Sequence, residues 1–363
     1  MTSKYPFFIR STVILFGLIL LVYVLAQLGD ILVPLVFAGM LAILLNPIYN
    51  RLVYNKVPKV LSIILGLLLA MVVFGAIGYF VSSQMASFTT EMPLLKQKSV
   101  AFFAKLQHEI DNRLGINLQR QNVWLAKAQG KLEPFAGSAL SGLFGSLSVL
   151  FLLPVYTFLF LYYKTLLLNF LYEVFADKNT KEVSLVLIQT KQAIQSFMSG
   201  LLLEALIVAT LNAAALMLLG VKYAILIGVI GALLNILPYI GGIIAIAIPL
   251  LIATITKEGY HVQLWILVSY LIIQFIDNNI LMPYIVSSKV KINALISVIM
   301  ILMGGALWGI SGMFLSIPFT GILKIIFDRV IELKPWGKLL GTEIPTKHAG
   351  MLRRKKVKVE VAA

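Results

Sequence analysis

Asn235-Ile-Leu-Pro238-Tyr239-Ile-Gly241-Gly242 breaks an apolar block that runs from about residue 222 to 256. Pro238 removes a backbone donor, and Gly241 and Gly242 permit dihedrals closed to other residues, so the chain must turn there. The flanks, 223–236 and 243–256, are each about 14 residues, or about 21 Å of helix at 1.5 Å per residue. A hydrocarbon core is about 30 Å thick. Two readings fit: a helix–break–helix hairpin that dips in and returns to the same side, or a pair of short tilted spans. A second interruption, Gln274-Phe-Ile-Asp277-Asn278-Asn279, follows one apolar run later. A third lies in the last block: Ala294–Leu307, then Trp308-Gly309-Ile-Ser311-Gly312, then Met313–Ile326 with Pro318 inside. Hydrocarbon satisfies no backbone or amide group, so such breaks belong where they line a cavity, a pathway or a packed helix interface.

Composition places these breaks in a membrane. Of 363 residues 60% are apolar and 12% charged, with a mean hydropathy of +0.95. A soluble domain is about half apolar and about a quarter charged. The chain reads as an all-α polytopic membrane protein. Its net charge of +15 would suggest nucleic acid in a soluble protein. Here the basic residues sit at the ends of apolar runs and in the tail Arg353-Arg354-Lys355-Lys356-Val-Lys358. The positive-inside bias and anionic headgroups account for that, and membrane lipids, not nucleic acid, are the expected partners. Cysteine is absent, which excludes disulfides and thiolate sites. Neither a phosphate loop nor metal-ligand spacing occurs, so no cofactor and no metal are expected.

Apolar runs long enough to span occur at about 12–28, 31–48, 60–82, 142–163, 197–219 and 262–282. With the two interrupted blocks they make about eight segments, two of them broken or re-entrant hairpins in the C-terminal half. Lys4 and Arg10 precede the first run as in a signal peptide, but no small-x-small site follows, so it reads as a helix that stays. The turn Gln27-Leu-Gly-Asp30 lacks Lys and Arg, whereas the next connection has Arg51, Lys56 and Lys59. Both termini are therefore expected in the cytoplasm. The expected units are N-terminal scaffold helices (1–82), an insert (83–140), a span with a polar helical connection (141–196), a C-terminal transport unit (197–333) and a basic tail (334–363). In the insert Phe103, Leu106, Ile110 and Leu114 recur at helical spacing among charges, predicting one or two amphipathic helices. They would lie on the bilayer, pack against a neighbouring subunit, or form a plain extramembrane cap.

Gln274, Asp277 and Asn278 stand at i, i+3 and i+4, on one helical face, with Asn279 next and Pro283 ending the helix. One carboxylate with three amides can hold a hydroxylated solute, a cation or a proton; the bland alternative is amide glue between helices. At the first break, freed backbone groups beside Asn235 could serve a ligand, or Tyr239 could mark a plain interfacial turn. Glu204 lies within the fifth span, either as a proton or cation site or as a paired carboxyl near water. Gly309-Ile-Ser311-Gly312 matches the pattern of rhomboid proteases, but His108, His261 and His348 all lie where no base could reach a membrane-buried serine. No enzyme is expected. Gly304, Gly305, Gly309, Gly312 and Pro318 read as helix breaks of the last block.

The ordered motifs Asn235 to Gly242, Gln274 to Pro283 and Gly304-Gly305 to Pro318 resemble the autoinducer-2 exporter family over nearly the whole chain. The resemblance departs at Asp277, where the family commonly has Glu. It also departs at Asn293-Ala294 in place of His-Pro, and at Leu201 after Gly200 in place of Gln. It implies a bacterial inner-membrane exporter or permease working as a homo-oligomer, a pentamer in some members. Some members are linked to the quorum-sensing signal autoinducer-2, and others to sodium or lithium–proton antiport. The expected function is a secondary transporter of a small polar solute with alternating access at a site between the broken helices. The alternatives are a cation–proton antiporter or an oligomeric channel.

Overall fold

The computed structural model describes residues 6–114, 147–175, 180–236, 240–257, 259–286 and 291–343. The regular elements there are all helices: α1 (Phe7–Gln27), α2 (Gly29–Tyr54), α3 (Lys59–Leu114), α4 (Leu147–Tyr162), α5 (Lys164–Phe175), α6 (Thr180–Leu218), α7 (Ala224–Asn235), α8 (Ile240–Thr256) and α9 (His261–Ile276). A π-helical stretch (Asp277–Val286) continues α9, followed by α10 (Ala294–Arg329) and α11 (Lys334–Leu340). Helices α1, α2, α6, the first part of α3, and α9 with its continuation are long and apolar enough to cross a bilayer. Helix α4 bends by 65° into α5.

The helix directions gather several basic residues at one end. Lys59 Nζ donates to Tyr162 O at 2.6 Å, Lys164 Nζ to Asn46 Oδ1 at 2.8 Å, and Arg329 pairs with Glu182 at 3.2 Å. This basic end holds the α2–α3 turn, the α4–α5 elbow, the start of α6 and both ends of α10. Helix α6 stops at the opposite end in a Schellman closure: Gly220 takes φ 61°, and Val221 N and Gly220 N donate to Leu216 O and Met217 O. Only glycine takes that conformation without a Cβ penalty.

Both interrupted blocks fold back. In the first, Gly241 lies against the Leu234 carbonyl, so closely that a Cβ would overlap it. Further down, Gly231 faces Ala245, the pair equidistant from the turn. Gly228 lets α7 press on α6, since a Cβ there would come within 2.6 Å of Ala213 N. Small residues at such contacts are how lipid-embedded helices approach closely. The hairpin base joins Leu216, Val221, Ala224, Ile252, Ala253 and Ile266 in one core at the opposite end.

Helix α10 has the length and hydropathy of a single span, but it is not straight. Trp308 (φ −134°, ψ 24°) and Gly309 (φ 60°, ψ −139°) leave helical geometry, and the arms run back along each other. Gly304 and Gly312 meet backbone to backbone, and Ser316 Oγ lies 2.8 Å from Met300 O. Asn293 fastens the base: its Oδ1 caps Ile296 N at 2.9 Å while its Nδ2 donates to Leu339 O at 2.6 Å. Asn293 thus supplies the helix start that the absent His-Pro would have provided.

The sequence expectation of breaks at six positions narrows to one. Gly309 is a break; Gly304, Gly305 and Gly312 are contact points between helical arms, Gly305 facing the Met313 side chain. Pro318 is buried inside the second arm, and Pro283 sits within the π-helical stretch instead of ending it. A π-turn already forfeits regular i−4 bonding, so the missing N–H costs little there. Helix α3 passes residue 82 without interruption and stays helical to Leu114, one rod of 56 residues. The side chains that would make its end amphipathic, and the remainder of the insert, lie outside the described residues.

Candidate functional site

Helix α6 carries one buried stripe at three- and four-residue spacing: Phe197, Leu201, Glu204, Val208, Asn212 and Leu216. Val208 packs with Ala232, Ile273 and Leu281, so α7 and α9 cover this stripe. The hairpin turn then sets its polar end against it. Asn235 Nδ2 donates to Asp277 Oδ2 at 2.8 Å. The Glu204 carboxyl lies close enough to Asp277 for their charges to act on each other. Gly242 leaves room beside them, since a Cβ there would sit 2.9 Å from Gln274 Oε1 and 3.5 Å from Asn235 Oδ1.

Glu204 is 5% exposed and Asp277 2%. Glu204 Oε2 and Asp277 Oδ1 have no hydrogen-bond partner. Two negative charges about 4 Å apart repel by about 4 kcal/mol at an effective dielectric near 20. A proton or a cation between the carboxyls removes that repulsion, and the amides of Asn235 and Gln274 offer donors and acceptors to the same space. Glu204 lies about 21 Å along α6 from Leu218, and Asp277 about 24 Å along α9 from His261, at 1.5 Å per residue. The two carboxyls therefore share one depth.

The spacing argument missed Asn212 and Tyr270. Asn212 stands two turns from Glu204 on the same stripe, and Tyr270 two turns before Asp277. A Cβ on Gly231 would lie 3.4 Å from Asn212 Nδ2 and 3.8 Å from Tyr270 OH. Both are buried, and Asn212 Oδ1 and Tyr270 OH lack partners. The signal was available as the i, i+8 relation of Glu204 to Asn212 within an apolar span.

Other expected site residues separate. Asn278 and Asn279 are exposed, and Asn279 Nδ2 donates to its own helix at Phe275 O, 2.8 Å away. They stand one and two residue steps, about 100° each, round the helix from buried Asp277, and so face away from it. Pro238 and Tyr239 lie outside the described residues. The break at Gly309 does not join the site either: beside it, Trp308 Nε1 donates to Leu25 O at 2.9 Å, and Gly29 accommodates the indole. Among the described residues, no three His, Cys, Asp or Glu side chains gather as metal ligands.

Two folded-back apolar hairpins, with unpartnered carboxyl oxygens beside the turn of one, are the kind of arrangement from which membrane transport proteins build their sites. Residues 13–332 match the family described as AI-2E family transporter, and the chain belongs to that family. It is similar to the AI-2 transport protein TqsA of Escherichia coli (strain K12), 25% identical over 83% of this chain and 86% of that protein. It is also similar to YrrI of Bacillus subtilis (strain 168), a protein assigned to transport, at 24% identity over 84% and 88% of the two chains.

Proposed function

We propose that this protein is a secondary transporter of the bacterial inner membrane that moves a small polar solute. In this proposal Glu204, Asp277, Asn235 and Gln274 form the translocation site, and the α7–α8 hairpin is the moving part. The observation that carries the reading is the buried carboxyl pair with two unpartnered oxygens at the hairpin turn. Groups so costly at membrane depth mark solute or ion pathways. The basic end faces the cytoplasm, in keeping with the positive-inside bias. Helices α1–α4 serve as scaffold, and the chain works as a homo-oligomer; the exposed amides of Asn278 and Asn279 favour a protein neighbour over lipid on that face.

The same carboxyl pair favours a second reading, sodium– or lithium–proton exchange, because one proton or one small cation fits between two carboxylates. Reconstituted proteoliposomes separate the two. Solute flux and cation-driven proton flux are measured for the native chain, Asp277→Asn and Glu204→Gln. Loss of solute flux in both variants supports the first reading, and cation–proton exchange without solute supports the second. Undiminished flux in both variants removes the carboxyls from the mechanism.

A further inference from the structure

A different cluster, at the α4–α5 elbow, gathers basic side chains. Lys164 opens α5 and is half-buried, its Nζ 2.8 Å from Asn46 Oδ1, 3.5 Å from Asn50 Oδ1 and 5.9 Å from the centroid of the Tyr49 ring. Lys59 is held beside it, over the Tyr162 ring at 4.8 Å and bonded to Tyr162 O. Lys191 of α6 lies close enough that its charge, with that of Lys59, adds to burial in pulling the Lys164 pKa below the ordinary lysine value. Among the described residues no carboxylate forms a salt bridge with any of the three, and the first turn of α5 holds no acid. Three ammonium groups with neutral tethers and no counter-ion leave an unbalanced positive site, to which the amino end of a helix adds.

The rest of α5 says where that site sits. Lys164, Leu168, Leu171 and Tyr172 are partly buried toward the bundle, Thr165, Asn169 and Glu173 form an exposed polar row, and Leu166, Leu167, Phe170 and Val174 form an exposed apolar row. A helix with one packed, one polar and one apolar row, turned 65° from a membrane helix, is laid out for the headgroup layer. We propose that Lys59, Lys164 and Lys191 bind the headgroup phosphate of an anionic phospholipid whose acyl chains lie along the apolar row of α5.

The full-length protein in nanodiscs tests this, with lipid retention read by native mass spectrometry. Phosphatidylglycerol is expected to be retained over phosphatidylcholine. Removal of each lysine, as Lys59→Gln, Lys164→Gln or Lys191→Gln, lowers the preference about five-fold, the equivalent of about 1 kcal/mol per basic side chain at an anionic surface. A control with the same net charge as the triple variant Lys59→Gln/Lys164→Gln/Lys191→Gln, made instead with Lys181→Gln, Lys334→Gln and Lys338→Gln, keeps the preference of the native chain, whereas the triple variant loses it. Equal retention of the two lipids by the native chain overturns the proposal, as does equal loss in the charge-matched variant. In phosphatidylcholine discs, millimolar inorganic phosphate giving the same thermal stabilisation as phosphatidylglycerol would assign the site to a free anion instead. The comparison of lipids on the native chain stands even where a triple variant fails to fold.

Discussion

Helix α10 is the place where length and hydropathy point one way and geometry another, and a pair of cysteines decides between them. The chain has no cysteine of its own, so Met300→Cys with Ser316→Cys introduces the only two thiols. In a straight helix sixteen residues separate these positions by about 24 Å. In the hairpin Ser316 Oγ is 2.8 Å from Met300 O, which sets the two residues side by side on facing arms. Mild oxidation of membranes carrying the variant should link the pair, read as a mass loss of two hydrogens. A companion substitution measures what the close approach contributes. In Gly312→Ala the new methyl overlaps the Gly304 carbonyl, which is backbone and cannot swing aside. Overpacking costs about 1–3 kcal/mol, and separating the arms also strains the Ser316 bond to Met300, worth about 1 kcal/mol. The variant should unfold about 2–4 kcal/mol more easily in detergent, followed by tryptophan fluorescence. Thiols that stay unlinked yet react with maleimide, together with an unchanged unfolding midpoint in Gly312→Ala, would refute the hairpin.

Trp308→Phe removes the indole bond to Leu25 O, which should cost about 0.5–1.5 kcal/mol. Because α1 buries no residue of its own, the loss should appear as faster amide exchange along α1, and exchange unchanged there would count against the contact as its anchor. Lys164 predicts a pH dependence: burial first, then Lys191 and Lys59, hold its pKa below the ordinary 10.5, so the unfolded chain binds more protons between the two values. Stability in phosphatidylcholine discs should therefore rise with pH through that window, and Lys164→Gln should abolish the rise. A native chain whose melting temperature falls over the same interval would contradict it.

The membrane class, the order of the spans and the two interrupted blocks were all legible in the sequence, because each is written in runs of one composition whose lengths compare directly with a bilayer. The break at Gly309 was legible for the same reason, since few residue types accept φ 60°. The other expected breaks were not breaks, because a glycine that permits a turn and one that permits contact look alike in sequence. Gly304 and Gly312 differ from Gly309 only in what lies opposite.

The polar site divides along the same line. Local spacing placed Gln274 and Asp277 on one face, and Asn235 beside a turn. It could not place Glu204, which is 73 residues from Asp277 in the chain, nor reveal that Asn278 and Asn279 turn away. Those depend on how deeply the α7–α8 hairpin descends and on which face of α9 packs against α6. The sequence by itself determined a helical membrane protein with broken segments and a short roster of polar residues. Only the tertiary structure decided which of them meet, because contact between residues on different helices follows from depth and rotation in the bundle, which no local period encodes.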